Sequence, residues 1–212
     1  MRLTKLLVIR HGETVWNTQG IKQGHLDSPL TSVGVRQAKA IARRLSEESF
    51  TRLYSSDLGR AYGTAQLIAA QTGHEIITDA RLRERNFGIF QGSTDAEVKA
   101  GYPLEHRSHL DDKERYVIPE GESLQQFFAR AVACLEDLSV RHNGQDIAVV
   151  THGGVIDAWF RFVLDIPLHA PRKAKLWNVG LNCIAREDDG EWRLHTWGDR
   201  SHVRFIDTLD DI

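Results

Sequence analysis

The sequence predicts an α/β fold: a three-layer α/β/α sandwich on a mostly parallel, doubly wound sheet. Three observations carry that expectation. Short apolar runs such as Leu6-Leu7-Val8-Ile9 and Ile147-Ala148-Val149-Val150 read as strands buried on both faces. Segments with apolar residues at helical spacing separate them, giving a βα alternation throughout. Three strands end abruptly in polar residues: Arg10-His11-Gly12, Ser55-Ser56-Asp57 and Thr151-His152-Gly153-Gly154.

In order, the first strand leads into Arg10 and His11, and a Gly-rich polar loop follows over 18–29. Thr31 is placed to cap a helix carrying Ala38, Ile41, Ala42 and Leu45. A second strand is expected over 50–56. Asp57 should cap the next helix, with Ala61, Ala65, Ile68 and Ala69 on its apolar face. A short strand over 75–78 precedes a weakly periodic middle region over 81–121, read as loop with short helices, 93–101 being one. Ser123 and Gln126 match a capping box that opens a helix bearing Phe127, Ala131, Leu135 and Leu138. A third buried strand over 146–151 precedes a largely apolar helix over 155–164. Strands over 181–186 and 191–197, joined by Asp188-Asp189-Gly190, read as a hairpin. The whole, 1–212, is expected to be one domain, with the segment 87–121 as a lid or specificity wall.

Composition narrows the function classes. A net charge of −2 gives no reason to expect nucleic acid or a membrane surface as partner. No apolar run approaches the roughly 18 residues of a spanning helix, and the start lacks the apolar core of a signal peptide. Cys134 and Cys183 lie far apart and suit buried thiols in a reducing compartment, so a cytoplasmic location is expected. The histidines lack metal-ligand spacing, so no metal and no cofactor is expected.

In open α/β sheets ligands sit outside the carboxyl ends of the strands. If the three strands run parallel, Arg10, His11, Arg60 and His152 converge at one edge. Each residue alone has a plain structural reading: a strand-end histidine as a hydrogen-bonded residue, Arg60 as a solvated charge, Glu84 as a counter-charge to its arginine neighbours. Gathered together they repel unless an anion offsets them, and Arg suits a phosphoryl group.

The sequence resembles the histidine phosphatase superfamily, the group that includes cofactor-dependent phosphoglycerate mutases. The match is Leu7-Val8-Ile9-Arg10-His11-Gly12-Glu13-Thr14 with Asn17, then Asp27-Ser28-Pro29-Leu30-Thr31, then Tyr54-Ser55-Ser56-Asp57-Leu58-Gly59-Arg60. It continues in Leu82-Arg83-Glu84-Arg85-Asn86-Phe87-Gly88, Pro119-Glu120-Gly121-Glu122-Ser123 and Val149-Val150-Thr151-His152-Gly153-Gly154. The resemblance implies that His11 attacks phosphorus to form a phosphohistidine, while Arg10, Arg60 and His152 hold the phosphoryl oxygens. It implies that Glu84 acts as acid and then base. It also implies that Gly12, Asn17, Gly153 and Gly154 add hydrogen bonds, and that Gln23, Gly24, Arg85, Asn86 and Phe87 touch the rest of the substrate.

Family phosphatases and mutases share this chemistry. Mutases tend to be longer, with a larger middle insertion, and usually carry Glu-Arg-His-Tyr-Gly where this chain has Glu84-Arg85-Asn86-Phe87-Gly88. The expectation is therefore a metal-independent phosphomonoester hydrolase acting on a small phosphorylated metabolite, as monomer or homodimer. A phosphoglycerate mutase is the alternative, and a non-catalytic phosphate-ligand module a third. Arg81, Arg83, Arg85, Arg107 and Lys113 are candidates to meet a second anionic group. The specificity wall is expected from residues 87–116 and from the segment after His169.

Overall fold

The computed structural model describes residues 3–187 and 189–204. Strands β1 (Thr4–Arg10), β2 (Arg52–Ser55), β3 (Ile76–Thr78), β4 (Asp146–Thr151), β5 (Leu181–Arg186) and β6 (Trp192–Asp199) form one sheet in the order β3-β2-β4-β1-β5-β6. β3, β2, β4 and β1 pair in parallel, whereas β5 and β6 add an antiparallel edge beside β1. The expected hairpin is therefore part of the main sheet. Asp188, named for its turn, lies outside the described residues.

Alternation along each central strand divides the core. Leu6, Val8, Ile147 and Val149 face helices α6 (Leu124–Arg141) and α7 (Gly153–Val163), packing on Leu135, Leu138, Ile156 and Trp159. Leu7, Ile9, Ala148 and Val150 face helices α2 (Ser32–Leu45) and α3 (Gly59–Thr72) through Ile41, Leu45, Ala65 and Ile68. A continuous apolar run is what a strand covered on both faces requires. This is the three-layer sandwich that the sequence predicts. Trp159 is almost fully buried, and its indole N–H donates to the Ala131 carbonyl at 2.6 Å, so its polar edge is satisfied inside the core.

Two helix starts behave as the sequence suggests: Thr31 accepts from Gly34 N, and Ser123 forms a reciprocal capping box with Gln126. Asp57 does not cap α3. Leu58 occupies that position without a side-chain bond, and the Asp57 carboxylate pairs with Arg83 at 2.5 Å instead. The polar loop after β1 contains a short helix, α1 (Val15–Gln19), capped by Thr14 and Asn17. The middle region is more ordered than its weak periodicity suggests. It folds into α4 (Asp95–Gly101) and α5 (Pro103–Asp111) around a small cluster of Phe90, Val98 and Ile118. Among the described residues no helix is long and apolar enough to cross a membrane.

Replacing Ser123 with Ala should lower unfolding stability by about 1 kcal/mol, the usual value of an N-cap, read as a shift of the urea midpoint at unchanged slope. An unchanged midpoint would mean that packing alone defines the start of α6.

Candidate active site

Backbone register brings the two histidines together. Arg10 pairs with Thr151 across β1 and β4, and His11 N donates to the Thr151 carbonyl at 3.0 Å. The next side chains, His11 and His152, therefore emerge side by side, with ring centroids 5.2 Å apart. β2 ends beside them, where Ser56 N donates to the Val150 carbonyl and Ser56 Oγ lies 2.8 Å from His152 Nε2.

His11 is 3% exposed, and its Nδ1 donates to the Gly12 carbonyl at 2.8 Å. That bond assigns the proton to Nδ1 and leaves Nε2 with a free lone pair. Burial pushes the His11 pKa well below the ordinary imidazole value, and the Arg60 and Arg10 charges push it further down. The buried His152 is lowered in the same way, first by desolvation, then by Arg60, His11 and Arg10. Both imidazoles are thus neutral, and His152 Nδ1 has no hydrogen-bond partner.

Arg60 is held from the first turn of α3. Its guanidinium donates to the Leu26 carbonyl at 2.8 Å, Asp27 Oδ1 at 2.9 Å and the Gly24 carbonyl at 2.8 Å, while its buried Nε has no partner. Gly24 therefore serves this site by holding Arg60 and not through a side of its own toward the cleft. Its φ of +54°, and the Gln91 side chain packed where a Cβ would stand, favour glycine there. Arg10 donates to the Leu176 carbonyl.

Glu84 reaches the same place from the segment after β3. Its carboxylate accepts from Arg85 N at 2.8 Å and from Gly154 N, at the start of α7, at 3.0 Å. A Cβ on Gly154 would overlap that carboxylate, so the close approach needs glycine. Residues that sequence reasoning passed over hold this segment. Arg130 donates to the carbonyls of Arg81, Arg83 and Glu84 and to Glu122 Oε1 at 2.6 Å, and the half-buried His25 Nε2 donates to the Glu84 carbonyl at 3.0 Å. Nothing in the local pattern of α6 marks Arg130, whose role depends on where α6 lies.

An open cleft of about 730 Å³ is lined by Arg10, Glu84, Phe87, Gly153, Gly154 and the segment 172–177. A side cavity of about 180 Å³ shares Glu84, Phe87 and Gly154 with it and continues past Arg85, Phe127 and Phe128. Several expected contacts fall elsewhere. Asn17 Oδ1 accepts from Thr14 N, fixing the loop after His11. Asn86 bonds the Glu120 carbonyl and Gly88 N, bracing its own turn. Gly12 N donates to Thr64 Oγ1. Gln23 is buried, with its Oε1 unpartnered. Of the five cations named for a second anion, Arg81 is paired with Asp79 and Asp137, and Arg83 with Asp57. Arg85 donates to the Glu122 carbonyl, the exposed Arg107 lies 3.8 Å from Asp111, and Lys113 lines a different cavity. From the 87–116 wall, Phe87 lines the cleft; the segment after His169 supplies the rest of that side.

The family model described as histidine phosphatase superfamily (branch 1) matches residues 6–200. The chain belongs to this superfamily. It is 39% identical over 203 residues to phosphoglycerate mutase-like protein 4 of Arabidopsis thaliana, covering 94% of this chain and 86% of that one. A phosphoserine phosphatase mutant from Entamoeba histolytica, solved with phosphoserine, superposes with a TM-score of 0.82 at 29% identity, covering 94% of this chain and 99% of that one. The α-ribazole phosphatase of Shigella flexneri does so with a TM-score of 0.85 at 26% identity, covering 92% and 96%. The family thus places phosphatases and mutase-like proteins on this fold.

The buried neutral histidines make stability pH-dependent. A histidine whose pKa is lowered by folding takes up a proton more readily when unfolded, so stability is full above about pH 6.5 and falls as pH drops below it. Each contributes a slope of up to about 1.4 kcal/mol per pH unit in that window. Urea unfolding between pH 7.5 and 5.5 should show a shallower loss for His152→Asn than for the wild type; equal slopes would mean that His152 takes up a proton in the fold. Arg130→Met should lower kcat by about tenfold or more through a displaced Glu84, on the scale of misplaced catalytic groups, with KM little changed. A kcat within twofold of wild type would show that other contacts suffice to hold Glu84.

Proposed function

We propose that the chain is a phosphomonoester hydrolase that acts through a phosphohistidine on a small phosphorylated metabolite. The observation that carries this reading is a neutral His11, its Nε2 freed by the Gly12 bond, beside the cleft that Arg10 and Glu84 line. Nε2 attacks phosphorus in line as the P–O ester bond breaks, and the leaving oxygen takes a proton from the Glu84 carboxyl. Water then attacks phosphorus, gives its proton to Glu84, and the P–N electron pair returns to Nε2. Arg10 and Arg60 offset the charge on the phosphoryl oxygens; the buried Arg60 Nε is an unused donor, and His152 Nδ1 is another when Ser56 donates to Nε2. The two backbone N–H groups on Glu84 hold its carboxylate in one orientation.

Hydrolysis is favoured over transfer by the open mouth of the cleft, where Arg172, Lys173 and Lys175 are exposed to water. The phosphoserine and α-ribazole phosphatases among its structural neighbours support the same reading. Phosphoglycerate mutase activity is the second reading, favoured by the name of the Arabidopsis relative.

The deciding assay is hydrolysis of 4-nitrophenyl phosphate and a panel of natural monoesters, with chelator present. His11→Ala should reduce turnover to background, and Glu84→Gln should lower kcat by about 10²- to 10⁴-fold, the range of a general acid. Interconversion of 2- and 3-phosphoglycerate faster than hydrolysis of any monoester would replace the hydrolase reading with the mutase one. Chelator-sensitive activity that survives His11→Ala would remove both.

A further inference from the structure

The cleft carries more positive charge than a phosphoryl group uses. Among the described residues it is lined by four cations, Arg10, Arg172, Lys173 and Lys175, against the single carboxylate of Glu84, in a chain whose net charge is −2. Arg10 belongs with His11 and Arg60 at the strand ends. The other three sit together on the connection between α7 and β5. None of them is in an ion pair among the described residues; Lys175 Nζ rests 4.5 Å from the centre of the Trp177 ring, which lines the same cleft. Arg161 nearby is committed to Asp157 at 2.9 Å, and Arg85 to the Glu122 carbonyl.

A run of surface charge is ordinarily a solvated face, but this one is fastened to the reacting end of β1. Arg10 donates to the Leu176 carbonyl, Asn178 Nδ2 donates to the His11 carbonyl at 2.8 Å, and Val179 N donates to the Arg10 carbonyl at 3.0 Å. Val179 is fully buried and held at a φ of +51°, which a β-branched residue adopts only where its surroundings enforce it. The stretch from Leu176 to Val179 thus holds the end of the connection that follows the three cations beside His11. Arg172 also lines the side cavity that begins at Glu84, the residue that protonates the leaving oxygen in the reading above. In that reading the leaving oxygen lies on the Glu84 side of the cleft, which Arg172 shares.

We propose that Arg172, Lys173 and Lys175 form a second-anion subsite, and that the substrate is a phosphomonoester whose alcohol portion carries a further anionic group, a carboxylate or a second phosphate. This rests on the phosphomonoesterase reading for its direction, and the test separates the two. Calorimetric titration of the His11→Ala protein, which holds ligand without turnover, compares matched pairs. These are 3-phosphoglycerate against glycerol 3-phosphate for a carboxylate, and fructose 1,6-bisphosphate against fructose 6-phosphate for a phosphate.

The doubly anionic member of at least one pair should bind about fivefold or more tighter, the scale of two or three solvent-exposed charge contacts. The pair that shows it names the second group. The advantage should shrink between 0.05 and 0.3 M NaCl, as about 10 Å of screening length becomes shorter. It should also fall to within twofold when Arg172, Lys173 and Lys175 are all replaced by Ser in that background, with the melting temperature checked alongside. Equal binding within both pairs would overturn the subsite, as would a preference that persists in the triple variant. A preference that is lost in the triple variant, in a wild-type protein that hydrolyses nothing, would leave the subsite standing and sink the hydrolase reading alone.

Discussion

The parallel pairing of β1 with β4 is the constraint on which the site depends. With Arg10 opposite Thr151, the residues that follow the two strands share one edge, and the His11 N–H to Thr151 carbonyl bond carries the pairing past the last rung. A one-residue slip would turn every side chain of a strand to the opposite face. Leu6, Val8, Ile147 and Val149 would then trade places with the set packed on α2 and α3, which the side-chain packing already in place on each face opposes. The core thus sets the spacing of the histidines more firmly than any contact between the rings.

Electrostatics at that edge runs against stability. Two imidazoles are buried beside two guanidiniums, and desolvation outweighs the hydrogen bond to the Gly12 carbonyl, so His11 stays neutral. Arg60 remains tolerable because Asp27 and two backbone carbonyls surround its guanidinium. A fold selected for stability alone has no reason to collect these groups. Function is the economical explanation of a locally unfavourable arrangement.

Much of the fold was legible because its signals are local. Strands buried on both faces announce themselves as unbroken apolar runs, and Thr31 and Ser123 mark helix starts through chemistry with their own neighbours. Arg10, His11, Arg60 and His152 could be placed together from strand polarity alone. Glu84 came from resemblance, since no periodicity locates it. The Asp57 cap was misread because its partner is distant in sequence: Arg83 takes the carboxylate. Equally distant partners brace two residues of the expected substrate wall, the Gly24 carbonyl with Arg60 and Asn86 with Glu122 and Glu120. The weak periodicity of 87–121 hid α5 because its Leu104 and Leu110 are exposed and its buried side chain is His106, so no apolar stripe marks it.

The mixed sheet has a consequence for how such a protein changes over time. Arg10, His11 and His152, the groups proposed to handle phosphorus, stand at the ends of β1 and β4, whose register two cores enforce. The wall of Arg172, Lys173 and Lys175 belongs to a crossing connection that leaves α7 and returns as an antiparallel edge strand. Its length and charge can drift while β1 and β4 keep their pairing, since the ties to the strand end run through the stretch from Leu176 to Val179. In the proposed reading, reactivity and selectivity are written on separable pieces of chain, and a lineage can trade one substrate for another without reopening the problem of how to break the ester.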